Sequence, residues 1–212
     1  VTFPRTLRNS AVALGATAVL TMTAAAGTAV AEPPNIPSPG TAETQLNALE
    51  VAPDGSSDGY DRDLFPHWSS HEDNCNTREL VLERDGDGVE VGTDCYPTDG
   101  SWYSEFDGET VSDPSEIDID HVVPLANAWR TGASEWTTAE REEFANDLDS
   151  PQLIAVTASS NRSKGDSDPS EWQPISSYHC TYASMWITVK HEYELTVHEA
   201  EKASLKDMLS TC

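Results

Sequence analysis

Asp118-Ile119-Asp120-His121-Val122-Val123-Pro124-Leu125 is the stretch on which the fold of this chain turns. Apolar and acidic residues alternate through Ile117-Asp118-Ile119-Asp120, the period of a half-buried strand. Pro124 suits the first position of a helix, so the segment reads as strand, short turn and helix. In a regular strand Asp120 and His121 leave on opposite faces, and they reach one site only where the strand ends and the backbone turns. The residue types suit hydrolysis. A neutral imidazole takes a proton from water near pH 7, and a carboxylate holds a hard divalent cation through oxygen. On its own, an Asp-His pair is as readily a structural hydrogen bond.

Forty residues on, a second element changes that balance. Gln152-Leu153-Ile154-Ala155-Val156-Thr157 is a compact apolar strand, and Asn161-Arg162-Ser163-Lys164-Gly165-Asp166 follows it as a polar, loop-like segment. Asn161 offers a neutral oxygen to a metal, while Arg162 and Lys164 offer donors to phosphate. The chain has 12 basic residues against 37 acidic ones, so two cations within three residues stand out. Arg78 is a third candidate for phosphate, although a lone Arg is more often paired or solvated.

The two segments together resemble the HNH, or ββα-metal, endonuclease motif. The chain is similar to secreted actinobacterial proteins that carry the C-terminal nuclease domain of GmrSD-type restriction enzymes. The similarity spans roughly residues 60–212. It rests on Asp120-His121-Val122-Val123-Pro124-Leu125, Ala128-Trp129, Phe144-Ala145-Asn146-Asp147-Leu148 and Asn161-Arg162-Ser163-Lys164-Gly165-Asp166. The resemblance implies an α+β fold with a ββα-metal core. It implies His121 as the general base, Asp120 as ligand of a single Mg²⁺ or Mn²⁺, and Asn161 as second ligand or orienting group. Arg162 or Lys164 would grip phosphate. The implied substrate is DNA, with RNA as an alternative, and the implied products carry 5′-phosphate and 3′-hydroxyl ends. Two positions depart from the family pattern. Gln152 stands where an Asn commonly bridges the backbone behind the base, with Asn146 nearby. No histidine follows Asn161 by a short helix, which leaves Asp166, Asp168 and Glu171 as candidates for a further ligand.

Upstream, Glu79–Glu83 and Val89–Val91 flank Asp85-Gly86-Asp87-Gly88, a hairpin signature. Ser101–Phe106 reads as a third strand. Asp85–Gly88 lacks the later ligands of a calcium loop and reads as a plain turn. Downstream, Thr137-Thr138-Ala139-Glu140 is a capping box opening a helix to about Leu148. Tyr182, Met185, Trp186, Val189 and Tyr193 recur at helical spacing as one buried face, and a last helix covers about 197–209. The expected architecture is thus a β-hairpin region, the nuclease core and a C-terminal helical pair.

Arg5 and Arg8, the uncharged run 11–30 and Ala29-Val30-Ala31 read as a cleaved secretion signal over 1–31. Residues 32–58, opening with four prolines, read as a flexible linker with a short helix at 41–49, and residues 59–212 as the nuclease domain. Removing Arg5 and Arg8 takes the formal charge from -25 to -27. Such a field opposes nonspecific attraction to nucleic acid, so a cleft must supply its own local positive charge. Cys75, Cys95, Cys180 and Cys212 behind a secretion signal read as two disulfides with three possible pairings. Proximity favours Cys75–Cys95 and Cys180–Cys212. The expectation is an extracellular monomer with no membrane association after cleavage, hydrolysing phosphodiesters with little sequence specificity. A nuclease toxin and a non-catalytic disulfide-stapled binding module are the competing readings.

Overall fold

The computed structural model describes residues 1–2 and 32–212. The secretion signal expected over 1–31 falls, but for its first two residues, outside them. The fold is mixed α+β, with seven α-helices, two small antiparallel sheets and two disulfides among the described residues.

The centre is a two-stranded sheet of β4 (Ile117–His121) and β5 (Leu153–Thr157). Its register pairs Asp118 with Val156, Asp120 with Ile154 and His121 with Leu153. Cross-strand partners share a face, and the two faces enter different cores. Ile117, Ile119, Leu153 and Ala155 join Val81, Leu82 and Trp102 in one cluster. Ile154 and Val156 join the larger cluster built on the helices. Helix α2 (Thr77–Asp85) crosses the first face and caps both sheet edges. Arg78 Nη2 donates to Ile117 O at 3.1 Å on one edge. On the other, Arg84 Nη2 donates to Leu153 O at 2.6 Å and Asp85 accepts from Ala155 N–H at 2.8 Å. Side chains thereby satisfy backbone groups that a two-stranded sheet leaves unpaired.

Helix α2 overturns the strand expected at Glu79–Glu83. Asn76 accepts from Glu79 N–H and Glu79 accepts from Asn76 N–H, a full capping box. That local nucleus outweighs a short apolar run. The hairpin lies one strand later, between β1 (Asp87–Val91) and β2 (Pro97–Tyr103), with Cys95 in its turn, and β3 (Thr110–Val111) completes the sheet. Gly86 therefore ends a helix. A Cβ there would come within 2.6 Å of Trp102 Nε1, whose N–H is engaged with Leu82 O.

Helix α1 (Pro39–Ala48) matches the short helix expected near 41–49 and buries Ala42 and Leu46. The prolines before it, read as a linker, lie against the domain instead: Pro33 is buried, Ile36 packs on the core, and Asn35 Nδ2 donates to Asp149 O at 2.7 Å. Helices α3 (Leu125–Thr131) and α4 (Thr138–Ala145) form as expected, the latter with the Thr137–Glu140 capping box. Asn161 onward is helical rather than loop-like. Thr157 caps α5 (Ala158–Lys164), and Gly165 ends it at φ 57°. Helix α6 (His179–Glu192) is buried from Tyr182 to Lys190 and forms the centre of the helical layer. Disulfide Cys180–Cys212 ties it to the end of α7 (Glu199–Leu209), and Cys75–Cys95 ties the start of α2 to the β1–β2 turn. Both expected pairings are present.

Candidate active site

The antiparallel pair β4–β5 is followed directly by α5, which lies over the face bearing Asp118 and Asp120. A strand repeats its face every two residues and a helix every three to four. That coincidence brings Asn161 and Lys164 onto the two acids. Asn161 Nδ2 donates to Asp118 at 3.2 Å, and Lys164 Nζ donates to Asp120 Oδ1 at 2.9 Å. Lys164 Nζ also donates to His121 O at 3.0 Å. Lys164 and Asp120 are both buried, and the ammonium sits 6.0 Å from the Trp186 ring centroid. Burial pushes the Asp120 carboxyl up to about 6, against the opposing pull of Lys164. Burial likewise lowers the Lys164 ammonium, and Asp120 holds it up.

His121 leaves β4 on the other face, with Ile117 and Ile119. Its Nε2 donates to Ala145 O at 2.9 Å, one of the carbonyls that the end of α4 leaves without a helical partner. That bond fixes the tautomer, so Nδ1 carries the lone pair, and it meets no partner among the described residues. Burial is the main cause that drives the imidazole pKa down to about 3. The charges of Arg62, His67 and Lys164 push the same way, and the Ala145 bond opposes them. The ring is therefore neutral across the physiological range. Its ring centroid lies 5.6 Å from that of Trp68, with the two planes tilted by 30°.

Two helpers shape the strand end. Gln152 Nε2 donates to Val123 O at 2.9 Å, and its Oε1 accepts from Val123 N–H at 3.0 Å. The residue that departs from the family's usual Asn thus bridges the backbone two residues beyond His121. Asn146 accepts from Ser69 N–H and Thr77 Oγ1 and donates to Pro66 O and Glu142 O. It clamps the segment that carries Trp68.

Of the three cations expected to bind phosphate, Arg162 faces solvent, its side chain 76% exposed and 3.8 Å from Asp118. Lys164 does not, because Asp120 and the His121 carbonyl hold it in the interior. Arg78 does not either, because it serves the carbonyls of Pro114 and Ile117. Asp166, Asp168 and His179 are each engaged by another group. Asp166 pairs with Arg130, Asp168 with His198, and His179 with Pro174 O. Sequence reasoning missed Arg62, which is exposed and whose charge acts on both Asp120 and His121. It also missed Trp68 as a partner of His121. Nothing local in the sequence marks either of them.

The oxygen donors suit a hard divalent cation. Asp120 Oδ2 is buried without a hydrogen-bond partner while its sister oxygen is held by Lys164. Asn161 lies on the same α5–β4 patch. No group of three His, Cys, Asp or Glu side chains converges on a metal position among the described residues. Water and substrate oxygen would have to complete the shell, the arrangement Mg²⁺ commonly takes.

The family model of the GmrSD restriction endonuclease C-terminal domain matches residues 90–208, more than half of the chain and all of this site except the Arg62–Trp68 segment. The chain belongs to this family. A GmrSD-type C-terminal domain points to a nuclease-related role. The chain is also 55% identical over 184 residues to a protein of Arthroderma benhamiae described as an uncharacterized secreted protein, covering 86% of this chain and 90% of that one. No solved structure matches. Among the described residues no helix is long and apolar enough to cross a membrane.

Proposed function

We propose that this GmrSD-type domain is a secreted endonuclease with a ββα-metal core formed by β4, β5 and α5. It hydrolyses phosphodiesters of DNA, and RNA as a second substrate, with little sequence specificity. The observation that carries the reading is the bond from His121 Nε2 to Ala145 O. It leaves Nδ1 as the lone-pair nitrogen of a neutral ring, the protonation state from which a general base accepts a proton.

In this reading a phosphodiester crosses the end of β4, with His121 on one side and the Asp120–Asn161 patch on the other. His121 Nδ1 takes a proton from the attacking water, and the Ala145 carbonyl steadies the imidazolium that results. Asp120 Oδ2 and Asn161 would hold one Mg²⁺ or Mn²⁺, which when bound supplies positive charge to the scissile phosphate and the leaving 3′-oxygen. Arg62 and Arg162 approach phosphate from solvent. Lys164 fixes Asp120 and the His121 peptide from beneath. Two disulfides and the secreted relative support an extracellular site of action.

The test incubates residues 32–212 with plasmid and Mg²⁺ or Mn²⁺, alongside His121→Ala and an EDTA control. Nicking and linearisation by the wild type, lost in His121→Ala, is the expected result. Equal cleavage by both proteins, or by neither under every metal, rules the reading out.

A further inference from the structure

Trp68 has a backbone φ of 61°, in the left-handed region. Six non-glycine residues among the described ones lie there, and Asn35, Asp73 and Asn74 belong to the types that tolerate it. Cys95 sits in a disulfide-closed turn, and Glu194 follows the end of α6. Trp68 is the only aromatic among the six. A bulky side chain in this region is disfavoured by clash between Cβ and the following carbonyl, and such outliers persist only where their surroundings over-determine them.

The surroundings do so here. Asn146 accepts from Ser69 N–H at 2.8 Å and donates to Pro66 O at 2.8 Å, so one side chain grips the backbone on both sides of Trp68. Thr77 N–H donates to Ser69 O at 3.1 Å, and Ser69 Oγ donates to Glu142 at 2.9 Å. Asn146 follows Ala145, whose carbonyl holds His121 Nε2. One helix end therefore fixes both the imidazole and the loop whose indole lies against it. His67 meets the indole edge-on at 5.4 Å and is itself anchored to Phe65 O.

We propose that Trp68 is a positioning residue for His121: its indole plane fixes the imidazole's tilt and shields one ring face from water, and the strained backbone is retained to place it there. The inference rests on the reading of His121 as the base. A hydrogen bond at Nε2 still allows the ring to pivot about the N···O axis. The indole, its ring centroid 5.6 Å from that of the imidazole and its plane tilted by 30°, restricts that pivot and so directs Nδ1. An aliphatic side chain fills the same volume without imposing a plane. The function of Trp68 thus depends on ring shape, and its backbone cost is separable from it.

The experiment measures kcat and KM for cleavage of a fluorescent oligonucleotide, and urea midpoints, for wild type, His121→Ala, and Trp68→Phe, Leu, Ala and Gly. Trp68→Phe is expected to keep kcat within threefold. The Leu, Ala and Gly variants lose tenfold or more in kcat with KM within twofold. Trp68→Gly unfolds at higher urea than Trp68→Ala, because glycine relieves the left-handed strain, yet it is no more active. A Leu variant as active as Phe, or Ala and Gly variants at wild-type kcat, overturns the proposal while His121 keeps its role. A Gly variant no more stable than Ala overturns the strain argument. Equal activity of wild type and His121→Ala overturns both this inference and the reading beneath it.

Discussion

Lys164 Nζ lies 2.9 Å from Asp120 Oδ1 with neither side chain open to solvent. Removing one member of such a pair leaves an uncompensated charge in the interior. Lys164→Met is expected to cost about 3–5 kcal/mol in urea unfolding. The Asp120→Asn/Lys164→Met double variant should cost less than the sum of the singles, since no lone charge remains. Additive losses would show that the two groups are not coupled.

Arg62, whose charge acts on Asp120 and His121, and Arg162, 3.8 Å from Asp118, are exposed cations at the site, so substrate affinity should be concentrated there. Replacing either with Ala is expected to raise KM about tenfold, the loss of about 1.4 kcal/mol of phosphate binding, with the urea midpoint unchanged. Arg78→Ala is expected to do the reverse. It unpairs the Ile117 carbonyl, removes a second donor from that of Pro114 and lowers the midpoint. A KM effect from Arg78→Ala without loss of stability would return that residue to the phosphate site.

Gln152 satisfies both polar groups of Val123 from a fully buried position. Gln152→Ala strands them, at roughly 1–3 kcal/mol for each unsatisfied group. Gln152→Asn is one methylene shorter and should restore at most one of the two bonds. Stability in the order Gln, Asn, Ala, with activity following it, is the expected outcome of paired unfolding and cleavage assays. Full activity in Gln152→Ala would remove the strand end from the mechanism.

His121 titrates near 6.5 when unfolded and is depressed to about 3 in the fold. Between those values the unfolded chain binds a proton that the folded one refuses, so the fold weakens as pH falls through this window. The slope approaches about 1.4 kcal/mol per pH unit from this group. Asp120, raised to about 6, acts oppositely, its contribution being full below about pH 4 and lost as pH rises through 6. Unfolding of His121→Gln across pH 3–7 isolates the first term. The variant should gain on the wild type as pH falls, and parallel curves would mean that His121 is not held neutral.

Much of the site was legible from local pattern. Alternation in Ile117–Asp120 located β4, the apolar run located β5, and the Thr137–Glu140 box located the start of α4. Helix α2, nucleated by the Asn76–Glu79 box, stands where the hairpin signature predicts a strand, and the turn of the hairpin belongs one strand later. Asn161 reads as part of a polar loop and lies instead on α5 against Asp118, because a seven-residue helix of polar residues carries no periodic apolar signal.

By itself, the sequence determined the two central strands, the acidic charge and the disulfide pairs favoured by proximity, and it singled out Asp120, His121 and Asn161 as candidates. Those depend on near neighbours, on period, or on composition. Tertiary structure alone decided that Lys164 is buried against Asp120 rather than open to solvent, that Gln152 bridges Val123, and that Ala145 and Trp68 lie against His121. The physical reason is burial. Whether a cation meets solvent or a carboxylate, and what lies against an imidazole, depend on elements packed from distant parts of the chain: α5 from beyond β5, and the Trp68 loop from before α2.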